Sequence, residues 1–541
     1  MRSSILTKHK AARAFVAIAA AWLLMIQAGC GGGNNFTPVA AAPTPAPPGI
    51  SAPPPLPAAT AARFLEQSTF GPTPELMASV QTSGLQAFLD NQFAAPVSLY
   101  DEPAVKSSLA PVQARFVVNA LNDQDQLRLR VAFALSEMFV ISGDKINTAD
   151  AFVPYLRLLQ ADAFGNFYDL LKDVTLNPAM GHYLDMVNND KAPLDAKIGP
   201  NENYAREIMQ LFSIGVSRLN IDGTLQIGSD GLPIPTYDQD TVEGLAHVFT
   251  GWTYPTMPGA TPLRHNPPYY TGPMVIFESN HDTGSKLLLN GVTLPPGQAS
   301  GKDLDDALHN IFNDPNVAPF IARQLIQHLV TSNPSPDYVK RVALVFNDNG
   351  SGVRGDLKAV VTAILLDAEA RRDNAGQTLA ADGHLKEPLL YMIGLLRALN
   401  AASDGKSVVS YSTAMLQPVL HPPSVFNFFP PNYQIQGTAL LGPEFKIWDN
   451  STAVARINFA NALLYGSVGS GTKVDLTRLV ALADNPGKLL DQLDAQLTHS
   501  QMSAAMRGAI LTAISGISDP RRRTLAAIYL IVTSSQYQVQ H

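Results

Sequence analysis

The chain holds a single cysteine, Cys30, in 541 residues. Whatever folds beyond that position has no thiol, so disulfides, a cysteine nucleophile, a zinc–thiolate site and c-type haem attachment are excluded from it. Cations are also scarce in blocks: the formal net charge is −7, and Arg521-Arg522-Arg523 reads as a local solvated cluster. Nucleic acid is therefore not an expected partner. Beyond residue 29 no apolar run approaches the roughly eighteen residues that a membrane-crossing helix needs. Neither a GxSxG nucleophile elbow, nor HExxH, nor a phosphate-binding GxxxxGK[ST] is present. Residues 466–473 come nearest to the last, but Thr472 separates Gly471 from Lys473. No repeat period is found, so a solenoid is not indicated.

What is there begins with an export signal. Arg2, Lys8, Lys10 and Arg13 form a positive start, and residues 15–26 are an apolar run. At roughly a dozen residues it suits a signal peptide and not a permanent span. It ends in Gln27-Ala28-Gly29-Cys30. Small residues before a cysteine resemble the bacterial lipobox, although Gln27 stands where Leu is preferred. The expectation is cleavage after Gly29 and lipidation of Cys30; the alternative is an ordinary signal peptide cut near Ala28. Gly31 follows the cysteine where an inner-membrane retention signal would carry Asp, which points to the outer membrane. Residues 30–58 are Gly-rich, then Pro/Ala-rich, and read as an extended tether without a core.

From residue 59 to 541 the dominant period is helical. Residues 61–69 read as a short helix stopped by Phe70-Gly71-Pro72, and Thr73-Pro74 as N-cap and first position of the next. Residues 124–141, 152–171, 320–330, 357–366, 385–399 and 525–532 carry apolar residues at helical spacing. More than a dozen helices are expected. Residues 219–235, with Asp222-Gly223 and Asp230-Gly231, read as a β-hairpin or a turn-rich loop. Residues 264–296 and 416–443 read as long irregular segments, which are often functional. The expected fold is a single large, all-α domain with a small β-hairpin insertion and long irregular loops.

Several runs then occur in a recognisable order: NENYAREIMQLFSIGV (201–216), TYDQDTVEGLAHVFTGW (236–252), HDTGSKLLLNG (281–291), PFIARQLIQHLVTSNPSP, GVRGDLKAVVTAILLDAEAR, KEPLL (386–390) and QPVLHPPSVFNFFPPNY (417–433). This order resembles the bacterial domain-of-unknown-function 1800 family, from residue 61 to the C-terminus. The resemblance implies a large exported protein and no assigned reaction. It also implies a partner, because genes of that family often lie beside those of the domain-of-unknown-function 1501 family, which is similar to alkaline phosphatases and sulfatases.

The helix expected at residues 238–249 is the most informative for chemistry. Asp238 suits an N-cap, and Val242, Leu245, Ala246 and Phe249 form the buried stripe. Asp240, Glu243 and His247 fall within about 60° of each other on the opposite face. Such a set suits a divalent metal or a general base with an orienting acid; it is equally the solvated face of an amphipathic helix. Glu202 and Arg206 are spaced to pair. Glu207 lies at the edge of an apolar stripe and must find a partner there, in a site or in a structural salt bridge. His281 and Asp282 lie in the long loop, where Asp-Thr-Gly is ordinary turn chemistry. His182 and Asp185 stand at i, i+3. His328 reads as a core-edge histidine, Lys386-Glu387-Pro388 as a helix start, and residues 421–430 as a packed aromatic segment. Two functions follow: a lipid-anchored envelope protein that binds or presents a partner, and an extracytoplasmic hydrolase using Glu207, Asp240, Glu243, His247, His281 and Asp282, with or without a metal.

Overall fold

A computed structural model describes residues 55–193, 199–372, 379, 381–466 and 468–540. The expected export signal, Cys30 and nearly all of the expected tether lie outside the described residues. Within them the chain forms twenty-two α-helices, and 52% of the structure is helical. Strands are confined to four antiparallel pairs. One of these joins His384–Leu385 to Val539–Gln540 and so ties the C-terminus to the middle of the chain. The fold is mainly α, as the periodicity implies. Among the described residues no helix is long and apolar enough to cross a membrane.

Helix starts follow local chemistry. Thr73 accepts from the Leu76 amide with Pro74 at the first position, and Asp238 accepts from the Thr241 amide at 2.9 Å. Each supplies an acceptor for an amide that has no partner inside its helix. Helix ends differ from the periodicity in two places. The apolar run at 152–171 is divided between helices Ala149–Asp162 and Phe167–Leu176. The break comes at Gly165-Asn166, where Asn166 turns its side chain to the Tyr168 amide and the Phe167 amide bonds Gly355 O. The run 201–216, in which Asn201 or Asn203 suits a helix cap and Gly215 a helix end, is helical only over Asn203–Gln210. Beyond it the Phe212 amide reaches back five residues to Glu207 O, and the chain unwinds to Gly215 at φ 71°.

The segment after Gly215 is neither a simple hairpin nor a loop. Residues 217–235 fold back twice, with bridges between Ser217 and Pro235, Leu219 and Leu225, and Ile227 and Pro233. Asp222 and Asp230 each accept an amide two residues on, which closes the two turns. Residues 264–296 are ordered by short strands that pack on the helix Gln239–Val248. The approach is so close that a Cβ at Gly244 would sit 1.8 Å from Leu287 O, so only glycine fits there.

Candidate functional site

The polar face of helix Gln239–Val248 has the expected exposure: Asp240 and Glu243 are exposed and His247 is half-buried. Its partners are not the expected ones. His247 Nδ1 meets Asp282 Oδ2 at 2.7 Å, whereas Glu243 accepts from Gln239 on its own helix at 3.3 Å. Burial pulls the Asp282 carboxyl upward, but the Gly284 amide and His247 outweigh it and hold it below its ordinary value. His281 points the other way. Its ring is fully buried, with Nδ1 3.0 Å from Thr250 O and Nε2 3.0 Å from Asp303 Oδ2. Asp303 also pairs with buried Lys286 at 2.7 Å. This is a satisfied ion-pair group that fastens the loop to helix Ser300–Phe312. Glu207 is buried, and one of its carboxylate oxygens has no hydrogen-bond partner; burial raises its pKa despite Arg206. Arg206 pairs instead with Glu202 at 2.9 Å. Among the described residues no three His, Cys, Asp or Glu side chains are grouped to hold a metal ion, and Asp240, Glu243 and His247 form no such set.

A larger constellation lies elsewhere. A cleft of about 560 Å³ opens between helix Val317–Leu329, the unwound residues 210–219 and the segment 425–432. Leu211, Phe320, Val425, Phe426, Phe429 and Pro430 make its walls apolar. Its floor is acidic: Glu137, from the last turn of helix Gln126–Met138, and Glu444, from the turn Pro443–Ile447. Both are under a tenth exposed. Behind them Glu387 and Gln417 are buried as well.

The floor is one hydrogen-bonded network. Glu137 accepts from Asn427 Nδ2 at 3.2 Å and from Gln417 Nε2 at 3.4 Å. Gln417 also donates to Glu387, and its own oxygen accepts from the Leu389 amide. Asn427 holds this position from a left-handed backbone, φ 60°, which asparagine tolerates better than most residues. The Glu137 and Glu387 carboxyls are neighbours, both bonded by Gln417 Nε2, and the Glu137 charge favours the protonated form of Glu387. Burial lifts Glu137 from 4.5 to about 7 and Glu387 well above the usual carboxyl range. Two adjacent carboxyls in a dry site share protons in this way. His328 stands 3.3 Å from the second Glu137 oxygen, without hydrogen-bond alignment, and burial lowers its pKa to about 4. Fully buried Arg130 donates to His328 O and faces the same carboxyls. Glu444 bonds His384 through one oxygen, at 3.0 Å, and leaves the other without a partner.

From sequence, His328, Glu387 and Asn427 are structural parts of a histidine edge, a helix start and a packed segment. The structure brings them together. The signal available beforehand is that the runs carrying the family resemblance meet here. NENYAREIMQLFSIGV gives Gln210 and Leu211, PFIARQLIQHLVTSNPSP gives Arg323 and His328, KEPLL gives Glu387, and QPVLHPPSVFNFFPPNY gives Gln417 and Asn427. No curated protein and no solved structure matches the chain. The family model described as "Protein of unknown function (DUF1800)" matches residues 63–539, nearly the whole chain. The chain therefore belongs to the DUF1800 family.

Proposed function

We propose that this protein is an exported envelope lipoprotein, anchored through Cys30, that binds a small ligand in the cleft above Glu137. The observation that carries the binding reading is the cleft itself, with apolar walls and a few polar atoms converging from separate elements. Glu444 and Gln324 line it, and their buried Oε2 and Nε2 atoms have no hydrogen-bond partner among the described residues. An unmatched buried polar atom costs about 1–3 kcal/mol, and a ligand that draws the Gln324 amide toward the cleft relieves part of it. This combination is what small-molecule sites generally present. The tether would hold the cleft away from the membrane, and the family resemblance favours a sulfatase-like neighbour as the protein that shares or receives the ligand.

The test is thermal shift of the soluble domain with a panel of small amphiphiles, beside Val216→Trp. Val216 lines the cleft and is 57% exposed, so a bulky ring plugs the entrance without entering the core. The expected result is a rise in Tm with at least one compound in wild type and none in the plugged variant, since a ligand stabilises only the state it binds. Equal shifts in both proteins, or none in either, would sink the binding reading.

A second reading is favoured by one observation. Glu137 titrates at about 7 at the floor of a cleft, where a general acid or base works best near neutral pH. In this reading Glu137 exchanges a proton with the ligand while Glu387 and Asn427 hold its carboxyl in place, and the protein is an acid–base hydrolase. The half-exposed His247–Asp282 pair is a second candidate base among the described residues. The second nitrogen of the His247 ring makes no hydrogen bond to protein among the described residues.

A further inference from the structure

Arg323 lines the same cleft from helix Val317–Leu329, one residue before Gln324. Arg218 pairs with Asp314, Arg341 with Asp367 and Arg206 with Glu202. Arg323 makes no ion pair and no hydrogen bond to any described residue. Burial alone lowers its pKa, with no carboxylate acting against it. Beside it Gln324 also lines the cleft, and its buried Nε2 has no hydrogen-bond partner among the described residues. The cleft wall thus carries a guanidinium, a group with five N–H donors, and beside it an amide donor, neither with a described protein acceptor. Arg323 is half-buried, and a cation partly withdrawn from water without a counter-ion is stabilised when an anion joins it.

We propose that the ligand is an organic carboxylate with an apolar body. Its carboxylate would lie against Arg323 and Gln324, and its body along Leu211, Phe320 and Val425. The proposal rests on the binding reading above and names the ligand's class. The guanidinium fork matches a planar carboxylate through two parallel bonds. A phosphate fits less well, because a second negative charge would meet one cation while Glu137 and Glu444 form the floor. The cleft volume of about 560 Å³ lies within the range that holds small organic ligands.

Calorimetry of the full folded protein tests this with three probes: decanoate, decanol and inorganic phosphate. Decanoate is expected to bind more tightly than decanol. Arg323→Gln is expected to weaken decanoate by about 10–100-fold, the effect of removing a charge-assisted contact, and to leave decanol unchanged. Arg323→Lys, which keeps the charge and loses the fork, should fall between. Equal binding of decanoate and decanol to wild type would overturn the carboxylate assignment and leave the cleft reading standing. So would phosphate displacing decanoate. Binding of neither amphiphile to wild type would overturn both. Arg323→Gln should melt no lower than wild type, since it removes an unpaired cation, so lost binding would not reflect lost fold. Gln324→Leu gives an independent check and should weaken decanoate more than decanol.

Discussion

His247 and Asp282 are 35 residues apart in the chain and 2.7 Å apart in space. The bond joins a helix to the loop that packs across it. Asp282 in turn accepts from the Gly284 amide, so the loop's own turn orients the carboxylate.

A double-mutant cycle should therefore find coupling between these two residues. His247→Gln and Asp282→Asn together should cost less than the sum of the single changes, by about 0.5–1 kcal/mol for a partly exposed pair. Glu243→Gln and His247→Gln should add, because Glu243 bonds Gln239 and not His247. Urea denaturation of the single and double variants beside wild type measures both. Coupling confined to Glu243 and His247 would contradict the geometry.

The titration of Glu137 should appear in stability. Its pKa rises from 4.5 to about 7 on folding because it is buried. Between those values the folded state holds a proton that the unfolded state has released. Stability contributed by this group is therefore full below pH 4.5, falls as pH rises to about 7, and is level above. Glu137→Gln removes that slope. The variant should gain on the order of 3 kcal/mol relative to wild type at pH 8, since a tenfold change in proton affinity corresponds to about 1.4 kcal/mol. His328, lowered to about 4, has the opposite sign: stability is lost as pH falls from 6.5 toward 4. The difference between wild-type and Glu137→Gln curves isolates the carboxyl. A difference that does not vary between pH 5 and 8 would place Glu137 in water.

Cys30→Ala should release the protein from the membrane fraction without lowering its Tm, because Cys30 precedes the first helix of the core, which begins at Ala58. Cells fed labelled palmitate should mark wild type and not the variant. One acyl chain binds a membrane reversibly, and several hold it firmly. An unlabelled wild type would remove the anchor from the proposal.

A sulfatase-like neighbour, if it is the partner, should be recovered by pull-down from detergent extracts in near-equal amount. Recovery of abundant envelope proteins alone would leave the cleft acting without it.

The fold is legible in the sequence wherever a local rule decides it. Thr73-Pro74 and Asp238 act as helix starts because a side-chain oxygen needs only its own next turn. The break at Gly165-Asn166 is hidden because apolar spacing continues across it, while the bond that fixes it comes from Gly355. The cleft is legible only as parts. Glu137 and Asn427 are 290 residues apart, and no periodicity links them. His328 beside Ile326 and Leu329 looks like core, and it is nearly core; nothing in its own run shows that three carboxyls from other segments are buried around it. The polar helix face stands out because its residues are neighbours in sequence, where spacing arguments work.

Arg130 has one further implication. It is wholly enclosed, bonds the backbone of the helix carrying His328 and faces the carboxyls beneath the cleft. The groups that would handle a ligand are therefore also the groups that hold the interior in register. A lineage that altered its ligand by changing this floor would first have to tolerate a weaker fold. Diversification should proceed from the rim inward, through exposed positions such as Val216, Leu225 and Phe426.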